Sequence, residues 1–292
     1  MWALSYPATV ALLAEVGPSD LTAIRFALAA IVMLLLRPRT VISINQSDWW
    51  RGSVLGILLA LGTWMQTRGL QTLSQTSSGF TISLFVVLTP LLGWLFFRHH
   101  ISRPVWSGVF LATLGLVAVS VQGIAIKPGM LITLGSALFY SLYFIAASAL
   151  SRPERAYRLS AIQMMVGAVF ATVIAAPDGL DLPQSSSTWG WLIYLVIGAT
   201  VVTYTLQTWA QSHLTATHAA ILLTSEPAFV ALFAWIGGHT PNAREIFGGS
   251  LILAASIVIQ RKPRSQAMPA PVPTTPPDGR RFRPRPARNR VR

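Results

Sequence analysis

Apolar stretches of bilayer length follow one another along most of this chain, separated by short polar or proline-containing breaks. A helix needs about 20 apolar residues to cross the hydrocarbon core of a membrane, and in lipid its backbone polar groups must be paired within the structure. We place these stretches at residues 1 to 16, 20 to 36, 52 to 71, 76 to 97, 104 to 122, 128 to 150, 159 to 176, 189 to 209, 215 to 237 and 244 to 260. The sequence therefore predicts an all-α polytopic membrane protein with ten transmembrane helices.

Composition supports this class and excludes several others. Hydrophobic residues make up 53% of the chain and charged residues only 11%, which lies outside the usual range of soluble domains. Cysteine is absent, so disulfides, thiolate metal sites and cysteine nucleophiles are excluded. The histidines lack metal-ligand spacing, and the chain has no nucleotide-binding loop or catalytic triad motif. We therefore expect no metal, no other cofactor and no enzymatic activity.

Charged residues in the loops predict how the chain lies in the membrane, because Lys and Arg near helix ends are retained on the cytoplasmic side. One alternate set of loops holds Arg37, Arg39, Arg51, Arg98, Arg103, Arg152, Arg155, Arg158 and the basic tail, and the other holds Glu15, Asp20, Asp178 and Asp181 with Lys127, Arg244 and, near a helix end, Arg68. We therefore expect both termini on the cytoplasmic side of the plasma (inner) membrane.

The two ends of the chain differ in character. Residues 1 to 16 rise about 23 Å against a core of about 30 Å, so we expect Met1 to lie one to two turns inside a first helix that is truncated at its start. Residues 261–292 hold ten of the 22 Lys and Arg residues and eight prolines. Such a segment cannot bury a core, and we predict a disordered cytoplasmic tail. Its charge fits contact with anionic lipid headgroups, and nucleic-acid binding is the weaker alternative.

The chain is also similar to itself. Residues 50–119 align with 191–260 without a gap, which pairs Trp50 with Trp191 and Gln66 with Gln207. Upstream, LTAIRFALAA (21–30) pairs with LSAIQMMVGA (159–168), and ALSY (3–6) pairs with ALFY (137–140). We infer two units of five helices, residues 1–122 and 123–260. Because five is odd, the second unit enters the membrane from the opposite side, and such inverted repeats are typical of transporters with a substrate site between them.

On these residues the chain resembles the EamA family of the drug/metabolite transporter superfamily. The matching stretches are LTAIRFALAA with Arg25, GLQTLSQTSSGFTISLFVVLTPLLGWLF (69–96), ATHAAILLTSEPAFVALFAW (216–235) and the final helices with Gly108, Gly248 and Gly249. The resemblance covers roughly residues 2–260. It implies a ten-helix carrier that exports amino acids or other small metabolites, with helices 1, 3, 4, 6, 8 and 9 around a central cavity.

The chain departs from that family at two helix ends. Family members commonly carry Gly-Glu at the ends of helices four and nine, where this chain has Phe97-Arg98 and Gly238-His239. A loop-anchoring role that the resemblance implies for those glutamates is therefore not expected here.

Glu226 is the one acidic residue that we place in the middle of a helix. An ionisable group at that depth is costly, so it should face the bundle interior or a wet cavity. We interpret it as a ligand for a substrate amine or as a protonation switch, and the structural alternative is a protonated acid that hydrogen-bonds a neighbouring helix. Pro227 and Pro90 predict helix kinks beside it and in the fourth helix, although prolines are also simply frequent in membrane helices.

A polar face on the eighth helix adds to this site. Thr200, Tyr204, Gln207 and Gln211 recur there at helical spacing, and a polar stripe should look inward because it is expensive against lipid. Gln66 is the repeat partner of Gln207, and the two glutamines can offer donors and acceptors to a zwitterion. Interhelical hydrogen bonding is the alternative.

Aromatic rings complete the predicted substrate site. Tyr140 lies in FYSLYF (139–144) and is the repeat partner of Tyr6. With Trp64 these rings can form an amphipathic wall that stacks on cations, and the alternatives are an interfacial location for the tyrosines and core packing for Trp64. Arg25 we interpret as a snorkelling residue or as a partner of Asp20 or Glu15.

These features predict a secondary transporter that moves a small-molecule solute outward by rocking of the two units. One alternative is a non-transporting scaffold or receptor that acts through the basic tail. Another is a membrane-embedded lipid headgroup enzyme, for which we find no convergent acid-base or metal set. The sequence leaves open the substrate, the direction, proton coupling and whether the chain forms a homodimer.

Overall fold

The computed structural model describes residues 1–97, 103–120, 128–177, 179–214, 216, 219, 223, 226–238 and 240–260. The predictions for the tail at 261–292 and for Arg98, Lys127, Asp178 and His239 concern residues outside this part of the chain. Within it the fold is all-α, as predicted, because every regular element is helical.

The described helices overlap with the predicted apolar stretches, but the fourth stretch is divided into two helices and the short helix at Pro38–Ile42 lies outside all of them. Up to residue 120 they are α1 (Trp2–Leu13), α2 (Pro18–Leu36), the short α3 (Pro38–Ile42), α4 (Gln46–Gly69), α5 (Gln75–Ile82), α6 (Phe85–Phe97) and α7 (Arg103–Ser120). From residue 128 they are α8 (Pro128–Leu150), α9 (Ala156–Ala175), α10 (Ser186–Ile193), a π-helical segment (Tyr194–Val202), α11 (Thr203–Gln211), α12 (Glu226–Ile236) and α13 (Ala243–Gln260). We call the described residues up to 120 the N-terminal half and those from 128 the C-terminal half.

Five stretches among the described residues are long and apolar enough to cross a membrane. They are Pro18–Leu36, Gln75–Phe96, Pro128–Leu150, Pro153–Ala175 and Ser186–Gln211. A chain with several such stretches is a multi-pass membrane protein.

Several helices begin where the sequence supplies a capping residue. Asn45 accepts a hydrogen bond from the backbone N–H of Asp48 at 2.8 Å, and Ser74 accepts one from the N–H of Ser77 at 3.1 Å. These side chains satisfy backbone donors that the first turn of a helix leaves unpaired. Pro18 stands in the first turn of α2, where a missing N–H has no cost.

The predicted fourth span is divided into two helices, α5 and α6, by Ser83 and Leu84. Side-chain hydroxyls bond backbone carbonyls at this point, Thr81 to Ser77 at 2.8 Å and Ser83 to Phe80 at 2.6 Å, and such bonds bend helices. Tight backbone bonds follow, including Val86 N–H to the Ser83 carbonyl at 3.0 Å. Pro90 lies inside the continuous α6, so the helix is interrupted before this proline and not at it.

The two halves pack on each other through long helix pairs: α2 along α9, α4 along α8 and α9, and α7 along α13. Glycines allow the close approach. A Cβ added at Gly52 of α4 would lie 2.5 Å from Ile162, and one at Gly115 of α7 would lie 2.6 Å from the backbone oxygen of Gly248. Small residues at such interfaces are how apolar helices associate tightly in lipid.

Polar contacts hold both ends of the bundle. At the end where α4 and α9 begin, which we call the Asp48 end, fully buried Asp48 contacts Arg158 at 2.8 Å and Arg155 at 3.4 Å. At the opposite end, which we call the Ser74 end, the Glu245 carboxylate accepts hydrogen bonds from Ser77 at 2.8 Å and from Ser74 at 2.5 Å. Each cluster joins the N-terminal half to the C-terminal half.

Candidate functional site

A cavity of about 480 Å³ lies between the two halves. Five of the residues predicted for the substrate site line it: Gln66, Tyr140, Tyr204, Gln207 and Glu226. They reach it from α4, α8, α11 and α12, and Trp2 of α1 and Phe85 of α6 also contribute. In the order of the predicted membrane spans these are helices 1, 3, 4, 6, 8 and 9, which the resemblance placed around a central cavity. Helix α2 also contributes, because Arg25 lines the cavity.

Tyr140 and Gln66 connect α8 to α4 beside the cavity. The Tyr140 hydroxyl donates to Oε1 of Gln66 at 2.9 Å and lies 3.2 Å from the Thr63 hydroxyl. One turn away, the Ser136 hydroxyl donates to the backbone oxygen of Gly62 at 2.6 Å. The two helices are thus joined by several polar contacts at this level.

Tyr6 lies behind the cavity wall. It is 1% exposed, and its hydroxyl has no partner with hydrogen-bond geometry among the described residues. The Gln66 side chain lies within hydrogen-bonding reach of this hydroxyl, and Glu226 lies near enough to act on it electrostatically. The structure therefore brings Tyr6 next to the predicted site.

A larger cavity, of about 1370 Å³, adjoins the first and shares Trp2, Phe144, Gln207 and Glu226 with it. Gln211 lines this second cavity. Most of its other lining is apolar, including Leu206, Phe229 and Phe233. Met1 and Leu214 are also among its lining residues.

Like Tyr6, Trp64 is a predicted site residue that lines neither cavity. Its indole N–H donates to the Ser19 hydroxyl at 3.1 Å, and the Arg68 guanidinium lies over its ring at 5.7 Å. It therefore connects α4 to the start of α2 at the Ser74 end, which agrees with the packing alternative better than with contact to a solute.

Arg25 corrects the sequence interpretation. It does not snorkel outward, because it is only 7% exposed and its Nε donates to the Thr200 hydroxyl at 2.6 Å. A second guanidinium nitrogen lies 3.4 Å from the backbone oxygen of Ala199, which also accepts the indole N–H of Trp2 at 3.2 Å. Glu15, one of the two suggested partners, instead accepts a hydrogen bond from the Gln184 N–H at 2.9 Å, near the start of α10.

The π-helical segment explains how Arg25 is held. Thr200 lies within it, and its hydroxyl donates to the backbone oxygen of Leu195, five residues back, at 2.7 Å. π-Helical turns are rare and occur often at functional sites. Sequence periodicity does not predict a π-helical turn. Thr200 did belong to the polar face that we predicted to look inward, and this was the signal in the sequence for a partner of Arg25.

Glu226 is the first residue of α12, and Pro227 stands in that helix's first turn. A carboxylate is favourable at a helix N-terminus because the backbone N–H groups there are unpaired. The aligned position in the N-terminal half is Phe85, the first residue of α6, and its ring stacks on Phe144 at 4.9 Å. Glu226 is half-buried and lines both cavities.

The cavity thus presents a guanidinium, a carboxylate, two amides and two phenols, between aromatic rings. Among the described residues there is no group of three or more His, Asp or Glu side chains that could hold a metal ion. The arrangement can bind a small molecule that carries both an anionic and a cationic group, since a guanidinium pairs with carboxylates and a carboxylate pairs with ammonium groups.

Comparison with known proteins agrees with these features. The profile of the EamA-like transporter family matches residues 1–121 and again residues 127–261. An uncharacterized transporter of Archaeoglobus fulgidus is 27% identical over 260 residues, covering 89% of this chain and 82% of the relative. The uncharacterized transporter YdfC of Bacillus subtilis is 22% identical, with coverage of 85% and 84%.

A solved crystal structure has the same fold, with a TM-score of 0.64, 17% identity and coverage of 88% of this chain and 92% of the other. The sequence relatives are transporters by name, which agrees with the prediction of a membrane transporter that is not an enzyme. Because the family profile covers nearly the whole helical part of the sequence, this chain belongs to the EamA-like transporter family.

Proposed function

We propose that the protein is a secondary carrier that exports a small metabolite with the charge pattern of an amino acid, by alternating access across the plasma membrane. The observation that carries the proposal is that Arg25 and Glu226 line the same cavity between the two halves. A cation and an anion in one largely buried site suit a solute that brings one group of each sign.

Arg25 supplies the anionic end of the substrate with a partner. Two of the guanidinium contacts go to Thr200 and Ala199, and a guanidinium has five N–H donors. The remaining donors suit a carboxylate, which a guanidinium can bind through two parallel hydrogen bonds. The bond to Thr200 fixes the planar group in place before the solute arrives.

Glu226 supplies the cationic end with a partner. Its place at the start of α12, beside Tyr204 and Gln207 in the lining, lets a substrate ammonium replace the water that the carboxylate would otherwise bind.

In our proposal the chain consists of two inverted units of five helices, and alternating access arises when these units rock against each other. The two separate matches of the family profile support the duplication. The packing supports it too, because α2 meets its repeat partner α9, and α7 meets its repeat partner α13. Ten membrane helices with the Asp48 end in the cytoplasm would make the larger cavity an opening toward the cell interior.

The test is counterflow of labelled amino acids into proteoliposomes that contain the purified protein. We expect accumulation of at least one zwitterionic solute, and we expect Glu226→Gln to lower its rate strongly. The matched control is Glu15→Gln, which removes an exposed carboxylate far from the cavity and should transport like the wild type. A Glu226→Gln protein that transports like the wild type at every pH would remove this residue from binding and coupling.

The alternative of a scaffold acting through the basic tail is tested in the same assay. Deletion of residues 263–292 should leave the counterflow rate unchanged if the helical part is a carrier. Absence of counterflow for every solute in the panel, with folded protein, contradicts the carrier proposal.

A further inference from the structure

The Asp48 end carries more positive charge than its one buried carboxylate can pair. Nε of Arg158 lies 2.8 Å from the Asp48 carboxylate, and a terminal nitrogen of Arg155 lies 3.4 Å from it. Arg51 of α4 stands three residues after Asp48, and residues at this spacing are neighbours on a helix surface. Glu154 is exposed and forms no ion pair with the described residues. Three guanidinium groups therefore lie around a single carboxylate.

Arg51 lacks an acceptor in this cluster. Its Nη1 is buried and has no hydrogen-bond partner among the described residues, and none of them forms an ion pair with it. The contacts of Arg155 and Arg158 with Asp48 are close but lack hydrogen-bond geometry, so these groups also keep donors for another acceptor. A buried charged donor without an acceptor is costly, and an anion bound at this point would remove the cost.

The backbone beside the cluster also favours an anion. α4 and α9 run side by side from this end, because Asp48 is level with Arg158 and Gly52 is level with Ile162, which an added Cβ at Gly52 would approach to 2.5 Å. α9 begins directly after Arg155, and no side chain caps its N-terminus. The unpaired N–H groups of a helix N-terminus attract negative charge. Side chains and backbone thus act in the same direction here.

Exposed tryptophans indicate the depth of the cluster in the membrane. Trp49 and Trp50, directly before Arg51, are 43% and 62% exposed. Tryptophan is enriched where membrane helices meet the lipid headgroups, and long arginine side chains reach this level from the ends of such helices. The anion that the cluster meets at this depth is a lipid phosphate.

We propose that Arg51, Arg155 and Arg158 bind the phosphate of an anionic phospholipid at the edge of the contact between α4 and α9. Guanidinium groups bind phosphate oxygens through paired hydrogen bonds, so the lipid supplies the acceptor that Arg51 lacks. The excess positive charge favours a headgroup with a net negative charge over a zwitterionic one. Because α4 and α9 belong to different halves, the bound lipid links the two halves at the Asp48 end.

The experiment measures ligand binding to the full chain after removal of lipid in a neutral detergent. Phosphatidylglycerol, phosphatidylcholine and inorganic phosphate are titrated separately. Native mass spectrometry gives the Kd of each lipid, and the thermal unfolding midpoint is measured for all three ligands. We expect phosphatidylglycerol to bind about tenfold more tightly than phosphatidylcholine and to raise the midpoint. An equal rise with inorganic phosphate at the same concentration would assign the cluster to a soluble anion and overturn the lipid assignment.

Arg51→Gln should raise the Kd for phosphatidylglycerol about tenfold, because it removes charge-assisted hydrogen bonds to the phosphate. The matched control is Arg39→Gln, which removes an exposed positive charge outside the cluster and should change this Kd little. Equal losses of affinity in the two variants would show attraction to surface charge alone, which also overturns the proposal.

The stability of the lipid-free protein separates lipid binding from a structural role of Arg51. Since Arg51 has no acceptor among the described residues, Arg51→Gln should leave the midpoint without lipid unchanged and reduce only the rise that phosphatidylglycerol produces. A midpoint that falls equally with and without lipid contradicts the proposal. Arg155→Gln gives a second reading if Arg51→Gln is poorly folded by gel filtration: it should also raise the Kd, while Arg158 still pairs with Asp48. None of these measurements depends on the transported solute.

Discussion

The N-terminal and C-terminal halves carry aligned helices but different charges around the cavity. Arg25 on α2 aligns with Gln163 on α9, and Glu226 at the start of α12 aligns with Phe85 at the start of α6. Arg25 and Glu226 line the cavity. Gln163 is fully buried and bonds Tyr143 and Thr208 within its own half, and Phe85 stacks on Phe144.

This comparison separates scaffold from recognition. Some aligned positions carry the same residue in both halves: Gly108 and Gly249, Tyr6 and Tyr140, and Gln66 and Gln207. Positions at which the halves differ place one cation and one anion at different points of the cavity. A site with its cation and its anion at such positions would favour one orientation of a solute that carries both charges. A strictly symmetric pair of halves would not.

Making the halves alike at Arg25 should have the largest effect. We expect Arg25→Gln, which copies the residue of the other half, to lower transport of carboxylate-bearing solutes about 100-fold, since charge-assisted bonds contribute roughly 1.5–3 kcal/mol. The measurement is the counterflow rate for an amino acid and for its amide, and the loss should be smaller for the amide. Equal losses for both solutes would indicate a structural role for Arg25.

The Asp48 end should be the more sensitive end of the bundle to loss of a charge. Asp48→Asn leaves Arg155 and Arg158 without their buried partner, and we expect the free energy of unfolding to fall by roughly 2–3 kcal/mol. We expect a loss below the usual range for buried ion pairs, because the side chains of Arg155 and Arg158 are 29% and 23% exposed. Thermal unfolding in detergent measures it, and Asp181→Asn, at an exposed position, should leave the midpoint unchanged.

The contact between α7 and α13, which joins the two halves, should depend on small residues. Gly115→Ala places a methyl group 2.6 Å from the Gly248 backbone oxygen, and we expect a loss of about 2 kcal/mol because backbone cannot move aside as a side chain can. Gly93→Ala is the control, since nothing lies within 4 Å of its added Cβ and alanine favours the helix. An equal loss in the two variants would show that α7 and α13 do not depend on this contact.

The smallest effect is expected at the Ser74 end, at Glu15. Hydrogen bonds from Ser185 and from the backbone N–H of Gln184 lower the pKa of Glu15 from 4.5 to about 2. A lowered carboxyl pKa contributes stability that is present above pH 4.5 and is lost as the pH falls toward 2. The midpoint difference between wild type and Glu15→Gln should therefore be small at pH 6 and vanish near pH 2; a difference that grows on acidification would contradict this.

Much of the site was predictable because bilayer physics limits where polar groups can lie. Gln66, Tyr140, Tyr204, Gln207 and Glu226 were selected as polar groups inside apolar helices, and they line the cavity. Gln211 and Tyr6 were also selected, but Gln211 lines only the larger cavity and Tyr6 lines neither. The place of Trp64 could not be predicted in this way, because an aromatic ring packs equally well against a solute, another helix or lipid. Its position was decided by Ser19 and Arg68, which contact it from outside the cavity.

The sequence by itself determined the helical membrane fold, because hydropathy is a local property of the chain; it predicted the alignment of the two halves and an inward-facing Glu226. The tertiary structure decided the direction of Arg25 and the break before α6, which depend on a π-helical turn and on hydroxyl-to-carbonyl bonds. It also decided that Glu226 is half-buried at the start of α12, whereas Asp48 and Glu245 are buried. Periodicity carries no record of a contact such as Arg25–Thr200, because its two residues are 175 positions apart in the chain.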